Sequence, residues 1–158
     1  MLIREITDVI ERFAPLAWQE SYDNAGLIVG RPDDEVRKAL LAVDVTDVDD
    51  TPGTERCGTV QLGKGAAVKV MDSSVICHPQ VVQTLERLAK EQDIPVQRDI
   101  MRAGGTDAGA VQAARLGVLT GGVSVPCRYI HTPVEMASLE DAQRCVQLLS
   151  AFVTSALD

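Results

Sequence analysis

Apolar positions along the chain fall into two alternating patterns. Ile6, Val9, Ile10 and Phe13 recur at three and four residues, the spacing of a helix with one buried face, and Pro15 closes it. Asp23-Asn24-Ala25-Gly26 reads as a turn, followed by a short strand at Leu27-Ile28-Val29. Ala39 to Val45 is apolar except at Asp44, which predicts a strand covered on both faces. Residues 47–66 form a polar loop rich in Asp, Thr and Gly, of a length usual for functional or flexible segments. Ala67 to Met71 is the next strand. A helix opens at Pro79 and buries Val81, Val82, Leu85, Leu88 and Ala89. A strand runs from Pro95 to about Met101, a short helix from Thr106 to Arg115 ends at Gly117, and Val118 to Val125 is again a strand. Ser138 with Asp141 predicts a capping box. Behind it Ala142, Cys145, Val146, Leu149, Phe152 and Val153 mark the apolar stripe of a long helix. Strands alternating with helices predict an α/β fold, layered α/β/α around a mostly parallel or mixed sheet in a single domain.

Composition narrows this picture. With 158 residues there is room for one domain, and 46% hydrophobic content suffices for a core. Only five rings are present, so that core is aliphatic. A net charge of −8 argues against a nucleic-acid surface, which needs Lys and Arg clustered on one face. The acidity is uneven: residues 1–50 hold 12 acids and 5 bases, leaving 11 and 10 for the rest. That break is a first sign that the two parts have different histories. No apolar run approaches the ~18 residues of a membrane span. Leu2-Ile3-Arg4-Glu5 after Met1 is not the start of a secretory signal. Cys57, Cys77, Cys127 and Cys145 are far apart and form no CxxC pair, which fits buried thiols in a reducing compartment. Cytoplasm is the expected location.

Four places invite chemistry, each with a plainer alternative. His78 precedes Pro79, where it caps a helix. His131 follows a buried strand, where open α/β sheets place their ligand sites. Asp44 interrupts an apolar strand, as a capped or salt-bridged acid or as a cation ligand. The GGTDAG run at 104–109 sets glycines and polar side chains at a helix start, as a cap at Thr106 or Asp107 or as a loop holding a substrate's polar end.

Longer strings then add a resemblance. Ala42-Val43-Asp44-Val45-Thr46, Asp50-Thr51-Pro52-Gly53, Leu62-Gly63-Lys64-Gly65, Met71-Asp72-Ser73-Ser74, GGTDAG at 104–109 and PCRYIH at 126–131 occur in an order that resembles the last third of the tetrahedral (TET) glutamyl or deblocking aminopeptidases. This likeness covers residues 42–158. Residues 1–46 resemble a different family, the N-terminus of the Nif-three-like dinuclear-metal proteins, also described as type-two GTP cyclohydrolase-like. It rests on Phe13-Ala14-Pro15-Leu16, the run from Gln19 to Gly30, and Ala39 to Thr46. Both families carry a strand close to AVDVT, so the chain reads as a chimera whose seam lies in one shared strand at 42–46.

The aminopeptidase resemblance implies a two-metal site of zinc or cobalt that activates water against an N-terminal peptide bond. Position by position, it makes Asp44 a ligand of one metal and His131 a ligand of the other. It makes Gly104, Gly105, Thr106 and Asp107, with Arg128, the substrate side. It also implies what is missing. The family's first histidine ligand, bridging aspartate and adjacent glutamate pair lie upstream of the shared strand, where this chain carries the other family's sequence. No Glu-Glu pair occurs, and neither histidine precedes Asp44. The Nif-three-like His-His-Pro motif survives only as His78-Pro79 after Cys77. The expected protein is therefore a chimeric relative of dinuclear-metal aminopeptidases, inactive or weakly active alone, with peptides as substrate if active and a homo-oligomer as its assembly. Glu20, Asp23 or Glu55 are the candidate substitute ligands. The alternatives are a non-catalytic assembly module or a Nif-three-like metal-binding regulatory protein.

Overall fold

The chain divides at Lys38 and Ala39 into two units. The computed structural model describes residues 40–48, 50, 59–113 and 117–155, all in the second unit. The expected helix at residues 6–13, the turn and strand at 23–29, the candidate ligands Glu20, Asp23 and Glu55, and Cys57 lie outside the described residues.

Among the described residues five strands and three helices follow in the order β1 (Leu40–Asp47), β2 (Ala66–Met71), α1 (Pro79–Glu91), β3 (Val96–Ile100), α2 (Ala108–Gln112), β4 (Thr120–Arg128), β5 (Met136–Ala137) and α3 (Leu139–Thr154). The sheet is mixed, in the order β1-β4-β2-β3, with β5 pairing the end of β4. β1 runs parallel to β4 and β2 parallel to β3, while β2 and β4 are antiparallel. This is the predicted α/β class. It also means that the carboxyl ends of β1 and β3 point to opposite edges of the sheet.

The two faces differ because side chains alternate along a strand. Val68 and Val123 pair in register and join Val81, Leu85, Leu88, Ala108, Cys145 and Leu148 in the main core. The opposite face carries Ala67 and Ser124, which pair in register and align with Asp44 of β1. Val48, Val60 and Leu62 cluster with Ala67 there.

Local chemistry sets the helix starts. His78 caps α1, its Nδ1 accepting the Gln80 N–H at 3.3 Å, and the predicted stripe Val81, Val82, Leu85, Leu88, Ala89 is buried. Two sequence expectations are corrected. The strand buried along its length is β4, from Thr120 to Ser124, whereas Val43 on the outer strand β1 is 59% exposed. On α3 the buried line is Asp141, Cys145, Leu148 and Ala151, with Leu149 and Phe152 partly buried, so Val146 and Val153 face outward.

That rotation has a cause in Asp141. Its backbone N–H takes the Ser138 Oγ cap at 3.4 Å, but its carboxylate does not reach back to complete a capping box. It accepts the Gly63 and Gly65 N–H groups at 2.7 and 2.8 Å, clipping the start of α3 to the turn before β2. The helix must turn this acid inward, and the apolar stripe follows it.

Candidate functional site

An open cleft of about 330 Å³ lies across the face of the sheet that carries Asp44. One wall is the second half of β1, from Asp44 to Asp47. The other is the end of β3 and the loop after it, from Asp99 to Gly105, and Ile130 with His131 closes it beyond β4. Because β1 and β3 run in opposite directions, the cleft spans the sheet instead of crowning one edge, unlike the strand-end crevice expected from the position of His131.

Asp44 is half-buried, and its Oδ1 accepts the N–H of Val45 at 2.8 Å. Asp99 is only 2% exposed and takes a hydrogen bond from the buried ammonium of Lys69 at 2.6 Å. An ion pair in the sheet interior had no sequence signal beyond a lysine in an otherwise apolar strand. Ser124, on the neighbouring strand β4 in register with Asp44, has a buried Oγ without a hydrogen-bond partner. His131 and Tyr129 both hold positive φ, 62° and 55°, in the tight turn that brings His131 back to the cleft.

The glycine loop is clasped from behind by the turn after β2. Asp72 is buried, and its Oδ1 accepts the Ser74 N–H and Oγ–H at 2.7 Å and the Val75 N–H at 3.0 Å. Its Oδ2 accepts the Thr106 hydroxyl at 2.8 Å, and Ser73 donates from both N and Oγ to the Gly104 carbonyl. Gly109 is small of necessity, since a Cβ there would sit 2.7 Å from Ser74 Oγ and 2.9 Å from the Ser74 carbonyl oxygen.

Burial alone would raise the Asp72 carboxyl, but the bonds from Ser74, Thr106 and Val75 outweigh it and hold the group below the usual carboxylate range. A carboxyl depressed on folding stabilises the protein above its unfolded value of about 3.9, and that share is lost as pH falls through the folded value. Acid unfolding of Asp72→Asn should therefore be shallower in pH than that of the unaltered chain. Identical profiles would remove Asp72 from the acid response.

The expected site residues separate in space. Asp44, His131, Gly104 and Gly105 meet in the cleft, whereas Thr106, Asp107 and Arg128 are not on its walls. Thr106 spends its hydroxyl on Asp72. Asp107 stands at the start of α2 without a side-chain capping bond. Arg128 makes a two-pronged pair with Asp50, both contacts at 2.6 Å, and holds that carboxyl low. Arg102, on the cleft wall, was missed because a lone arginine in a loop carries no signal in sequence. Cys77, Cys127 and Cys145 are buried free thiols, each pushed up to about 11 chiefly by that burial, so they are not poised nucleophiles.

Among the described residues no three His, Cys, Asp or Glu side chains converge on a point that could hold a metal ion. A catalytic zinc takes three protein ligands and a water, so Asp44 and His131 by themselves do not fit a two-metal centre.

Comparison with known proteins resolves the two halves. A family model described as Duf34/NIF3 (NGG1p interacting factor 3) matches residues 1–48, and a Clostridium perfringens GTP cyclohydrolase 1 type 2 homolog is 40% identical over 47 residues, 30% of this chain and 18% of its own. The M42 glutamyl aminopeptidase model matches residues 32–148. The lysyl aminopeptidase of Pyrococcus furiosus is 37% identical over 94 residues, 59% of this chain and 26% of its own. Among solved structures, the aminopeptidase APDkam598 of Desulfurococcus kamchatkensis superposes with a TM-score of 0.71 at 37% identity, over 75% of this chain and 34% of its own. The TET1 peptidase of Pyrococcus horikoshii, which can assemble into a tetrahedron or a large octahedral shell, gives 0.60 at 28% identity, over 73% and 33%. The chain spans about a third of the length of the curated aminopeptidases it matches. The two matches overlap on residues 32–48, around β1, and through the longer of them the chain belongs to the M42 glutamyl aminopeptidase family.

Proposed function

We propose that the chain keeps the substrate-side wall of a peptide-hydrolysing site and lacks a complete metal centre of its own, so that it is inactive or weakly active alone. The observation that carries this reading is the cleft that gathers Asp44, His131, Gly104 and Gly105 with no third ligand among the described residues. In this reading Asp44 and His131 are the two positions from which a zinc or cobalt pair would be held, and peptides are the ligands. A cytoplasmic setting goes with it: no described helix is long and apolar enough to cross a membrane, and the three described thiols are unpaired. The test is metal content per chain by mass spectrometry after loading with cobalt or zinc and desalting, beside release of N-terminal residues from peptides. The expected result is well under one equivalent and no release. Close to two equivalents, with release abolished by His131→Ala, would overturn the reading and show that other residues complete the site.

A second reading, an assembly module, is favoured by one feature of α3. Leu139, Val146 and Val153 are 75%, 62% and 63% exposed and recur every seven residues, a line of apolar side chains along one side of the helix. Self-association through this line would raise the sedimentation mass with concentration, and Val146→Lys would abolish the rise. A constant monomer mass would sink it.

A further inference from the structure

We infer that the open edge of β1 pairs with the same strand of a second copy of this chain, antiparallel about Val43, so that the two sheets join into one. The apolar line on α3 is a different surface, and this contact stands or falls without it.

The two outer strands of the sheet are treated differently. On β3, Thr59 Oγ1 donates to the Arg98 carbonyl at 2.6 Å and accepts the Ile100 N–H at 3.1 Å, filling two edge groups as a neighbouring strand would. The Gln97 side chain exchanges two bonds of 2.9 Å with the Gln61 backbone beside it. Covering of this kind keeps a further strand from adding. β1 ends the sheet on the other side. The Val48 N–H donates to the Cys127 carbonyl at 3.0 Å, and backbone groups alternate in direction along a strand. Positions 42, 44 and 46 therefore bond β4, while Leu41, Val43 and Val45 turn their N–H and C=O groups outward. Among the described residues the one bond to these outward groups is local, from the Val45 N–H to Asp44 Oδ1 at 2.8 Å. Val43, at the middle of the edge, is 59% exposed.

The edge fits itself in one register. A two-fold axis at Val43 sets Val43 against Val43 and Leu41 against Val45, and facing pairs that exchange both bonds give about six in all. Each exposed Val43 is then covered by a β-branched copy of itself, a favourable cross-strand pair. Asp44 stands opposite position 42 of the second copy. Sliding one bonding step toward the carboxyl end would set the two Asp44 carboxylates directly opposite each other, which is destabilising. Sliding the other way shortens the ladder. Pairing also hands the Val45 N–H to the Leu41 carbonyl of the second copy. Asp44 Oδ1 is thereby released on the cleft wall, so assembly and the cleft are coupled.

The experiment is amide hydrogen exchange, followed by NMR on the isotopically labelled full chain from micromolar to millimolar concentration. The Val43 and Val45 amides should slow at least about ten-fold as concentration rises, while those of Ala42 and Asp44, already bonded to β4, keep one rate. The sedimentation mass should rise toward that of two chains over the same range. Val43→Pro removes a donor that β4 does not use, at an edge position where proline is tolerated. It should leave the Val45 amide fast at every concentration. Should that variant fail to fold, the exchange of the parent decides alone. A Val43 rate that ignores concentration, or a constant monomer mass, overturns the inference. So does unchanged protection of Val45 in folded Val43→Pro. A rising mass with a fast Val43 amide would place the association on another face, such as α3, and overturns it equally.

Discussion

Replacing Asp99 with alanine should destabilise the unit by about 3–5 kcal/mol, the range for removing one partner of a buried ion pair. Lys69 sits on β2 with 1% of its surface exposed, and the Asp99 carboxylate, 2.6 Å away, is the one acceptor the structure shows for its ammonium. Without Asp99 that charge has neither water nor a counter-ion, and the backbone register between β2 and β3 holds it in place. With urea slopes of about 1–3 kcal/mol per molar for small domains, the unfolding midpoint should drop by at least about 1 M. The double replacement Lys69→Met with Asp99→Leu removes both charges and should recover most of the loss, because an apolar pair of similar volume often matches a buried ion pair. A midpoint for Asp99→Ala within error of the parent would mean that water reaches Lys69 and that this stretch of sheet is not dry.

The second large effect is steric. Gly65→Ala should cost about 2–5 kcal/mol, combining overpacking of about 1–3 kcal/mol with about 1–2 kcal/mol for a left-handed alanine. Gly65 holds φ at +96°, and a Cβ there would lie 2.1 Å from the Pro95 carbonyl oxygen and 2.5 Å from its carbon. Neither side can yield easily. Pro95 O accepts the Ala66 N–H at 3.1 Å, and Gly65 donates to Asp141 while its carbonyl accepts from Gln97 at 3.0 Å. Gly63 provides the control, since its φ is +76° but a Cβ there meets nothing within 4 Å. Gly63→Ala should thus show the backbone cost alone, about 1–2 kcal/mol. Equal losses at the two positions in chemical denaturation would mean that the Pro95 backbone moves aside.

Both effects arise where short-range pattern reading is weakest. The amphipathic stripe of α1, its proline and histidine start, and the strands β2 and β3 were legible because each depends on side-chain spacing within one segment. The stripe of α3 was legible in period but not in phase. Val146 and Val153 look as suited to burial as Leu148, and the face is selected by the bonds that the Gly63 and Gly65 N–H groups donate to the Asp141 carboxylate from 78 and 76 residues away. GGTDAG was recognisable as a special loop, yet its division of labour was not. Thr106 and the glycines answer to Asp72 and Ser74, and that pairing exists only once α2 packs behind the turn after β2.

The α/β class, most element positions, the double ancestry with its overlap at β1, and the special standing of Asp44 and His131 were all readable from the amino-acid string alone. These follow from local periodicity, turn chemistry and motif order, which a linear string carries in full. What rests on the packed sheet is the direction of the strands, the placing of the cleft across the sheet face, the buried Lys69–Asp99 pair, and the presence of Arg102 on the same cleft as Asp44. Each joins residues from separate strands, and such meetings depend on strand order and register, which are set by the packing of the whole sheet.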